Sequence, residues 1–452
     1  MVLGVVVVAL GTAAVYLLGR PRLVEAAPED GAQIVPAGAP LRITFSHRMD
    51  PESVARSLSI EPQVEGEIAW EGSTLVFTPD GLWPSGETVR VRLGTGARTA
   101  GLLSFGLPEP ESWSFTIGQP RLVYLYPFEG PADLYLLNLE TGEIERLTTS
   151  AGTVLDFSVI PGGLTIFYTL SRGDGSSQIF RLDMLNREST PVLDCPQARC
   201  SSPRPSPDGA WLAYERTLLE GEPEYPQVWL LSLQAPESEP VLVAEAGHET
   251  QSPAWSSGGW LAYRDNNEKA FIFFDPDSGE RERFDNANGL AGVWSPDGEN
   301  FITSEVVTLI EQNPNTLPDF SSIPSSHLLR YNRQAGRVED LTLRDNLEDA
   351  TPVYSPDGSL LAFGRKYLDI AHWTPGRQIW IMRADGSEAQ PLTEEPHHNH
   401  YNFAWHPAGG QLAYVRFNQT LLIEPPELWL IEVGSGRARQ LITGGYAPQW
   451  IP

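Results

Sequence analysis

Basic charge is scarce in this chain of 452 residues. Only 31 lysine and arginine residues stand against 58 aspartate and glutamate residues, which gives a formal net charge of −27. A surface of this sign repels nucleic-acid phosphates and anionic lipid headgroups, so it gains no counterion release from them. The composition therefore argues against nucleic acid as a partner and is typical of an acidic surface in water.

Cysteine is nearly absent as well. Only Cys195 and Cys200 occur, separated by four residues. In an oxidising compartment such a pair forms a local disulfide, whereas in a reducing one both remain free thiols, and the sequence leaves both alternatives open. No further ligands that would complete a zinc site lie nearby, and no cysteine near the start provides a lipid anchor. We expect no metal and no cofactor.

Helix signals are few, whereas turn-forming residues are abundant. The chain has 41 glycines and 39 prolines without a collagen-like period, and many tight turns imply many short strands. Hydrophobic residues make up 41% of the sequence, enough to build several cores. The length predicts two or three domains, and the turn content predicts an all-β fold.

One long apolar run lies at the start of the chain. Residues 2–19 read VLGVVVVALGTAAVYLLG, without a single charge. As a helix rising about 1.5 Å per residue, this run approaches the ~30 Å thickness of a membrane core. We predict an uncleaved transmembrane anchor over residues 1–22. A cleaved signal peptide is the alternative, although no basic residues precede the apolar run.

Alternating apolar and polar residues mark strands between residues 23 and 118. The clearest runs are residues 41–45, 74–78, 88–93 and 113–117. Strands with this period, separated by turns, predict an antiparallel sandwich. Asp50 followed by Pro51 predicts a short helix that the Asp50 side chain caps.

The same region resembles a known domain. In order, it contains the segments ITFSHRMD, LVFTPDGLWPSGETVRV and SWSFTIG. These segments resemble the bacterial Ig-like domain (SbsA-type) of surface-layer and exported proteins. The resemblance covers nearly all of residues 23–118 and implies a spacer or adhesive module rather than a catalyst.

A repeated unit fills residues 119–452. Its first half is a strand, a Ser-Pro-Asp-Gly-like turn and a second strand, and its second half is another strand pair, often followed by Leu-Thr. First strands recur near residues 155, 203, 253, 293, 353 and 404. Because Asp-Gly makes a tight turn with positive φ, we interpret Asp208, Asp297 and Asp357 as turn residues, not catalytic ones. Repeats of four strands predict a β-propeller.

The number of blades depends on the C-terminus. Residues 447–451 supply a further first strand that has no hairpin partner after it. We predict that this strand pairs with the one at residues 122–125, because joining the two ends removes the exposed sheet edges. The prediction is seven blades. Six is the alternative, if the weak copy near Leu155 is misread.

The Trp-Ser-Pro-Asp-Gly and Leu-Trp-hydrophobic patterns resemble the TolB-like periplasmic propeller family over about three quarters of the chain. The resemblance implies either a protein-binding platform or the gating domain of a prolyl-oligopeptidase-like hydrolase. The second role requires a hydrolase domain, and the sequence contains no Gly-x-Ser-x-Gly nucleophile elbow.

Candidate binding residues lie on the loops that join second to third strands, and blade to blade, on one propeller face. From the long loops we single out Tyr225, Phe320, Tyr367, Asp369, His372 and Trp373. A blade-to-blade loop adds His397, His398, His400 and Tyr401. Clustered imidazoles can hold a zinc-like ion, and a polar surface loop is the alternative interpretation.

We therefore predict a non-catalytic cell-envelope protein whose propeller binds a protein or a cell-envelope glycan. Arg20 and Arg22 follow the apolar run, and the positive-inside rule alone would keep the rest of the chain in the cytoplasm. Because both domains resemble exported ones, we predict an extracytoplasmic location instead. The alternative function is a metal-dependent propeller hydrolase or lyase that uses the His397–His400 loop. An axial pocket with converging carboxylates and imidazoles favours the enzyme, and a broad aromatic rim favours binding.

Overall fold

The computed structural model describes residues 19–451, with gaps at residues 34, 36, 38, 80–82, 102, 151, 161–162, 236, 288, 308–324, 343, 345, 370 and 422. The described chain forms two compact units, one ending at Pro120 and the other running from Arg121 to Ile451. Nearly all of the anchor predicted for residues 1–22 lies outside the described residues. Within the described ranges, no helix is long and apolar enough to cross a membrane.

The first unit is a two-sheet sandwich with one short helix, α1 (Pro51–Ser57). Its strands are β1 (Leu23–Ala27), β2 (Leu41–Phe45), β3 (Leu58–Glu61), β4 (Gly66–Glu71), β5 (Thr74–Pro79), β6 (Thr88–Leu93) and β7 (Glu111–Thr116). One sheet has the order β1-β2-β5-β4 and the other the order β3-β6-β7.

The alternating pattern of the first unit produces its core. Along β6 the odd-numbered residues Val89, Val91 and Leu93 are fully buried, while the even-numbered ones are exposed. Trp83 packs between the two sheets, and its indole N–H donates to the Ala39 carbonyl at 2.7 Å. The predicted cap is confirmed, because the Asp50 carboxylate accepts a hydrogen bond from the amide at the start of α1.

The second unit is built from antiparallel sheets of four strands. Its first sheet has the order β10-β9-β8-β35 and so combines the beginning and the end of the unit. The four strands are β8 (Arg121–Tyr126), β9 (Asp133–Asn138), β10 (Ile144–Arg146) and β35 (Tyr446–Ile451).

Three further sheets of four strands follow along the chain. Their strands are β11 (Thr153–Val159), β12 (Thr165–Ser171), β13 (Ser177–Asp183) and β14 (Ser189–Cys195); β15 (Ala198–Pro205), β16 (Trp211–Leu218), β17 (Gln227–Ser232) and β18 (Val241–Leu242); and β19 (Thr250–Trp255), β20 (Leu261–Asp265), β21 (Ala270–Phe274) and β22 (Arg281–Asp285). In each sheet the strands lie side by side in chain order.

The next eight strands form one sheet, and a last sheet of four strands precedes β35. The eight strands are β23 (Val293–Trp294), β24 (Asn300–Val307), β25 (Ser325–Asn332), β26 (Arg337–Asp340), β27 (Leu347–Tyr354), β28 (Leu360–Tyr367), β29 (Gln378–Arg383) and β30 (Gln390–Pro391). A single parallel residue pair, Ser326 with Glu348, joins the β23–β26 half to the β27–β30 half. The last sheet is β31 (His398–Trp405), β32 (Gln411–Asn418), β33 (Glu427–Glu432) and β34 (Ala438–Thr443).

The first strands of these sheets form a closed ring around an axis. Contacts run from β11 to β15, β19, β23, β27, β31 and β35, and from β35 back to β11. Indole N–H groups fix several of these neighbours: Trp255 donates to the Arg204 carbonyl at 2.8 Å, and Trp450 donates to the Ala404 carbonyl at 3.0 Å. The repeated tryptophan therefore joins one sheet to the previous one.

The repeated Ser-Pro-Asp-Gly sequence is a turn that its own side chains stabilise. The Ser206 hydroxyl donates to Asp208 at 2.5 Å and accepts from the Trp211 amide at 2.9 Å, while Gly209 takes a φ of +70°. The turns at Asp297 and Asp357 have the same bonds. The repeated aspartates are thus occupied in turn formation, as predicted.

The predicted closure of the ring is confirmed. Strand β35 pairs antiparallel with β8, and Trp450 lies opposite Leu122. The Gln449 side chain adds a bridge to β11, because its amide oxygen accepts from the Val159 amide at 3.1 Å and its amide nitrogen donates to the Phe157 carbonyl at 2.9 Å.

Cys195 and Cys200 form a disulfide between the end of β14 and the beginning of β15. Both residues are buried in the hydrophobic cluster between these two sheets, together with Phe167 and Leu212. The bond therefore links two consecutive sheets across the short connection between them.

We predict that Ile451→Ala lowers the free energy of unfolding by about 2–4 kcal/mol, because a fully buried aliphatic side chain at the closing strand is lost. Denaturant unfolding of the purified chain measures the change. Val338→Ala, in the outer strand β26 where the side chain is half exposed, is the control and should change stability by less than about 0.5 kcal/mol. Equal effects of the two substitutions would contradict a closed ring.

A second prediction concerns the disulfide. Because it closes only a short loop, replacing both cysteines with alanine should cost about 2 kcal/mol of stability, and reductant should then have no further effect. Urea unfolding with and without reductant, together with thiol titration, measures this. Two free thiols in the untreated protein would contradict the bond.

Candidate functional site

Exposed apolar side chains concentrate on one face of the propeller unit. In each sheet, the connection from second to third strand and the linker to the next sheet emerge on the same side, which we call the upper face. Most of the exposed large hydrophobic residues of this unit lie there, in the connections or at the strand ends that lead into them: Tyr126, Phe128, Leu219, Leu290, Val306, Trp373, Leu421 and Ile423. Such clustering marks a contact surface more often than scattered residues do.

Four of these residues come from three neighbouring sheets, and we call them the apolar arc: Phe128, Trp373, Leu421 and Ile423. Trp373 lies between β28 and β29, Leu421 and Ile423 between β32 and β33, and Phe128 between β8 and β9. Their exposed fractions are 51% for Phe128, 55% for Trp373, 48% for Leu421 and 91% for Ile423. The three sheets pack directly on one another, so the connections follow each other around the ring.

Part of the arc is held in place by local bonds. The Asp369 carboxylate accepts from the His372 amide at 3.0 Å and from His372 Nδ1 at 2.8 Å, which folds this connection into a turn. Lys366 Nζ lies 5.0 Å from the centre of the Trp373 ring, within reach of a cation–π contact. The predicted residues Asp369, His372 and Trp373 thus share one loop, and Tyr367 is the last residue of the strand that leads into it.

A groove of about 580 Å³ adjoins this loop. The rings of Tyr367, His372 and Trp380 line it on one side, and the carboxylates Glu394 and Glu395 line it on another. The Arg365 guanidinium covers the Trp380 ring at 4.7 Å, and a buried ion pair with Asp349 fixes that guanidinium.

The remaining loop predictions have different outcomes. The Tyr225 hydroxyl donates to the Gly247 carbonyl at 2.6 Å, so this side chain ties one connection to the following linker. Phe320 lies outside the described residues. Tyr401 belongs to β31 and packs edge-on against the Phe417 ring at 5.5 Å.

The predicted histidine loop is mostly strand. Residues from His398 onward form β31, so the loop prediction is wrong for all but His397. Polar side chains fit this strand because neighbouring groups satisfy them. His397 is exposed, His398 is half buried and His400 is fully buried, and none of the three belongs to a group of three metal-type donors among the described residues. Burial lowers the pKa of His398.

His400 is part of an internal charge network. Its Nδ1 lies 2.7 Å from the Arg377 carbonyl and its Nε2 lies 3.0 Å from Glu395 Oε2, so both ring nitrogens have partners within the protein. Glu395 also pairs with Arg416, whose Nε lies 2.9 Å from Glu427. The hydrogen bond from His400, followed by Arg416, lowers the pKa of Glu395 to about 2. The network fixes the linker between β30 and β31 to the β31–β34 sheet, and the Arg377 carbonyl joins His400 to the preceding β28–β29 connection.

One group of three metal-type donors occurs among the described residues: His248, Asp265 and Glu268. Its donors are already bonded within the protein. His248 Nδ1 lies 2.9 Å from Asp265, and Arg283 lies 2.7 Å from Glu268. The hydrogen bond with Asp265 raises the pKa of His248. The geometry is that of an ion-pair cluster.

A cavity of about 700 Å³ lies on the propeller axis, and we call it the axial cavity. The first strands of four consecutive sheets line it, together with their turns. Its wall is mostly apolar and includes Trp255, Trp294 and several prolines, while Arg204 and Glu215 supply charge. Gly292 also lines it, and a Cβ there would lie 2.3 Å from the Phe301 ring, so position 292 tolerates no side chain.

Two carboxylates lie at or beside the axial cavity. Asp156 accepts from the Ser202 amide at 2.7 Å, and Glu215 accepts from the Ser252 amide at 2.7 Å. Burial raises the pKa of both carboxyls. Sequence reasoning missed this pair, because neither residue belongs to a repeated motif. The sequence did contain a sign of this pair, because each acidic residue lies within a mostly apolar strand.

A test of the charge network follows from the lowered pKa of Glu395. A carboxyl with a depressed folded-state pKa stabilises the protein above about pH 4.5 and loses that contribution as the pH falls toward about 2. Glu395→Gln should therefore lose less stability than the wild type between about pH 6 and about pH 3. Urea unfolding at the two pH values measures the difference. Glu394→Gln, an exposed neighbour, should behave like the wild type, and identical losses in all three proteins would rule out the network.

The chain is similar to several known proteins. The family model of the bacterial Ig-like domain matches residues 19–117. TolB from Acinetobacter baumannii is 13% identical, with 96% of this chain and 99% of that chain covered and a TM-score of 0.45. The β-propeller domain of the Trilobed protease from Pyrococcus furiosus is 14% identical, with 79% and 93% covered and a TM-score of 0.49.

A third similar structure is that of a prolyl endopeptidase, at 11% identity and a TM-score of 0.51. The match covers 86% of this chain but only 50% of that one. Identities this low show the fold alone. Residues 19–117 match the bacterial Ig-like domain family, and the sheets that follow form a β-propeller, as the sequence predicted.

Proposed function

We propose that this chain is a non-catalytic binding protein of the cell envelope, whose propeller holds a protein partner on the apolar arc. The observation that carries the proposal is the position of Phe128, Trp373, Leu421 and Ile423 on one face of three adjacent sheets. Clustered Trp, Phe and Ile side chains resemble the centre of a protein interface, where desolvation of large side chains supplies most of the affinity.

The charge around the arc favours a partner of a particular kind. Exposed carboxylates of Glu129, Glu394 and Glu424 come from the same three sheets, in a chain of net charge −27. A protein with an apolar centre and a basic border complements this surface, and the opposite charges speed its association. Leu421 and Ile423 offer no hydrogen bonds to sugar hydroxyls, so a protein fits the arc better than a glycan.

We propose three functional parts: a membrane anchor over residues 1–22, an Ig-like spacer over 23–118 and a propeller over 119–452. The propeller would then have seven blades, which the single residue pair between the two halves of the eight-stranded sheet supports. The disulfide supports an extracytoplasmic location, since such bonds persist in oxidising compartments. Binding is favoured over the enzyme alternative because both nitrogens of His400 are used inside the protein.

A crosslinking experiment tests the arc. A photoreactive amino acid at position 423 of the full chain, expressed in its native membrane, should capture one protein partner. The same amino acid at Leu185, exposed at a turn on the opposite face, is the matched control and should capture none. Capture of the same protein from both positions would argue against a binding face.

The captured protein, once purified, allows a quantitative test. Trp373→Ala with Ile423→Asp should weaken its binding at least about tenfold, because the loss of interface anchors costs about 2 kcal/mol or more. Leu164→Ala with Leu185→Asp, on the opposite face, should bind like the wild type. Equal affinities for both variants would refute the proposal, and binding of isolated envelope polysaccharide that depends on the arc would replace the protein with a glycan.

A further inference from the structure

The axial cavity has a charge balance that the fold alone does not explain. Asp156, in β11, and Glu215, in β16, each use one oxygen to hold the backbone amide of a residue in the next first strand. Those residues, Ser202 and Ser252, have φ values of +53° and +59°, within bulges of β15 and β19. Both serines line the axial cavity. Glu215 is itself part of the wall, and Asp156 lies behind it, bonded to Ser202.

Negative charge at this place is incompletely compensated. The second oxygen of Asp156, Oδ1, is buried and makes no hydrogen bond of good geometry, although the Thr169 hydroxyl of the neighbouring strand lies beside the carboxyl. The charge of the Arg204 guanidinium lowers the pKa of both carboxyls, but burial outweighs it and raises both. A cation bound in the cavity would stabilise the ionised form of these carboxyls, which burial disfavours.

The shape and chemistry of the wall fit a ligand. A volume of about 700 Å³ lies in the range of small-molecule sites, about 300–1,000 Å³. Trp255 and Trp294 line it, and each indole N–H donates to a carbonyl of the preceding first strand, so both rings are already fixed. Aromatic rings beside carboxylates favour an organic cation, because ring faces attract positive charge while the carboxylates accept its hydrogen bonds.

Other ligand classes fit less well. An anion would meet Arg204 but would be repelled by Glu215. A metal ion needs three or more donors, and within the described ranges Asp156 and Glu215 belong to no such group. An ammonium group, with three N–H donors and no acceptor, matches the Glu215 carboxylate and the neighbouring serine hydroxyls.

We propose that the axial cavity binds an organic ammonium group, either of a small free amine or of a lysine side chain on a peptide. Glu215 receives the ammonium group directly, Asp156 adds negative charge from behind the wall, and Trp255 and Trp294 pack against the carbon skeleton. This site is separate from the apolar arc, so an experiment can refute either proposal without refuting the other.

The test uses the full chain in detergent and benzylammonium chloride as the probe. Calorimetry should show binding, and indole fluorescence should change because two tryptophans line the cavity. Benzyl alcohol, of the same shape but without charge, should bind at least about tenfold more weakly, and the anion benzoate should not bind. Equal binding of benzyl alcohol, stronger binding of benzoate or no binding of any amine would overturn the proposal.

Three variants locate the site. Glu215→Gln and Asp156→Asn keep an oxygen that can accept from the serine amides, so the bulges and the thermal unfolding midpoint should be preserved. Glu215→Gln should weaken benzylammonium binding at least about tenfold, and Asp156→Asn less. Glu237→Gln removes the same charge from an exposed position outside the cavity and should bind like the wild type. Unchanged binding in folded Glu215→Gln would overturn the assignment.

Two further ligands distinguish a lysine side chain from a free amine as the source of the ammonium group. A lysine-containing tripeptide with blocked ends and its form acetylated on the lysine side chain are compared with benzylammonium. If only the unacetylated peptide binds, the ligand is a peptide side chain. If benzylammonium binds more tightly, it is a free amine. The double arc variant, Trp373→Ala with Ile423→Asp, should retain ammonium binding in either case, which keeps this result independent of the proposed partner.

Discussion

The antiparallel pairing of β35 with β8 joins the two ends of the propeller unit, more than 300 residues apart in sequence. Without it the sheet at the beginning of the unit would lack its first strand, and the ring of first strands would stay open at that point. The axial cavity depends on this closure because first strands form its wall. The upper face depends on it because two of the three sheets that carry the apolar arc meet at the closure.

Within the ring, the repeated residues serve the framework. Serine and aspartate close the turns, tryptophan joins neighbouring first strands, and the threonine of the Leu-Thr pairs bonds the third strand of its sheet; Thr148 and Thr393, for instance, accept from the amides of Leu134 and Ile379. These roles follow from turn chemistry and the need to satisfy buried backbone groups. The repeat itself therefore gives little information about function.

Most of this framework could be predicted from the sequence, because each element has a local signal. Alternation gave the strands of the sandwich, Asp50 with Pro51 gave α1, and the unpaired last strand gave the closure. The segment from His398 to Tyr401 was misjudged because its polarity is typical of a loop. Its place in β31 depends on Glu395, in the linker before the strand, and on Arg416, in the neighbouring strand β32. The axial carboxylates were missed for the same reason, since only the folded ring brings Asp156 and Glu215 to one cavity.

The function of such a fold must then lie in residues that break the repeat. In two other second strands, the residues that correspond to Glu215 of β16 are Arg264 in β20 and Val415 in β32. The repeat tolerates a carboxylate, a guanidinium or an aliphatic side chain there, so a buried carboxylate beside an open cavity is no requirement of the fold. The Glu215 side chain does accept from the Ser252 amide, but a glutamine oxygen would serve that bond equally well, so the ionisable group is better explained by a ligand than by folding. The same reasoning applies to Ile423, which is almost fully exposed on a connection that a polar residue would serve equally well.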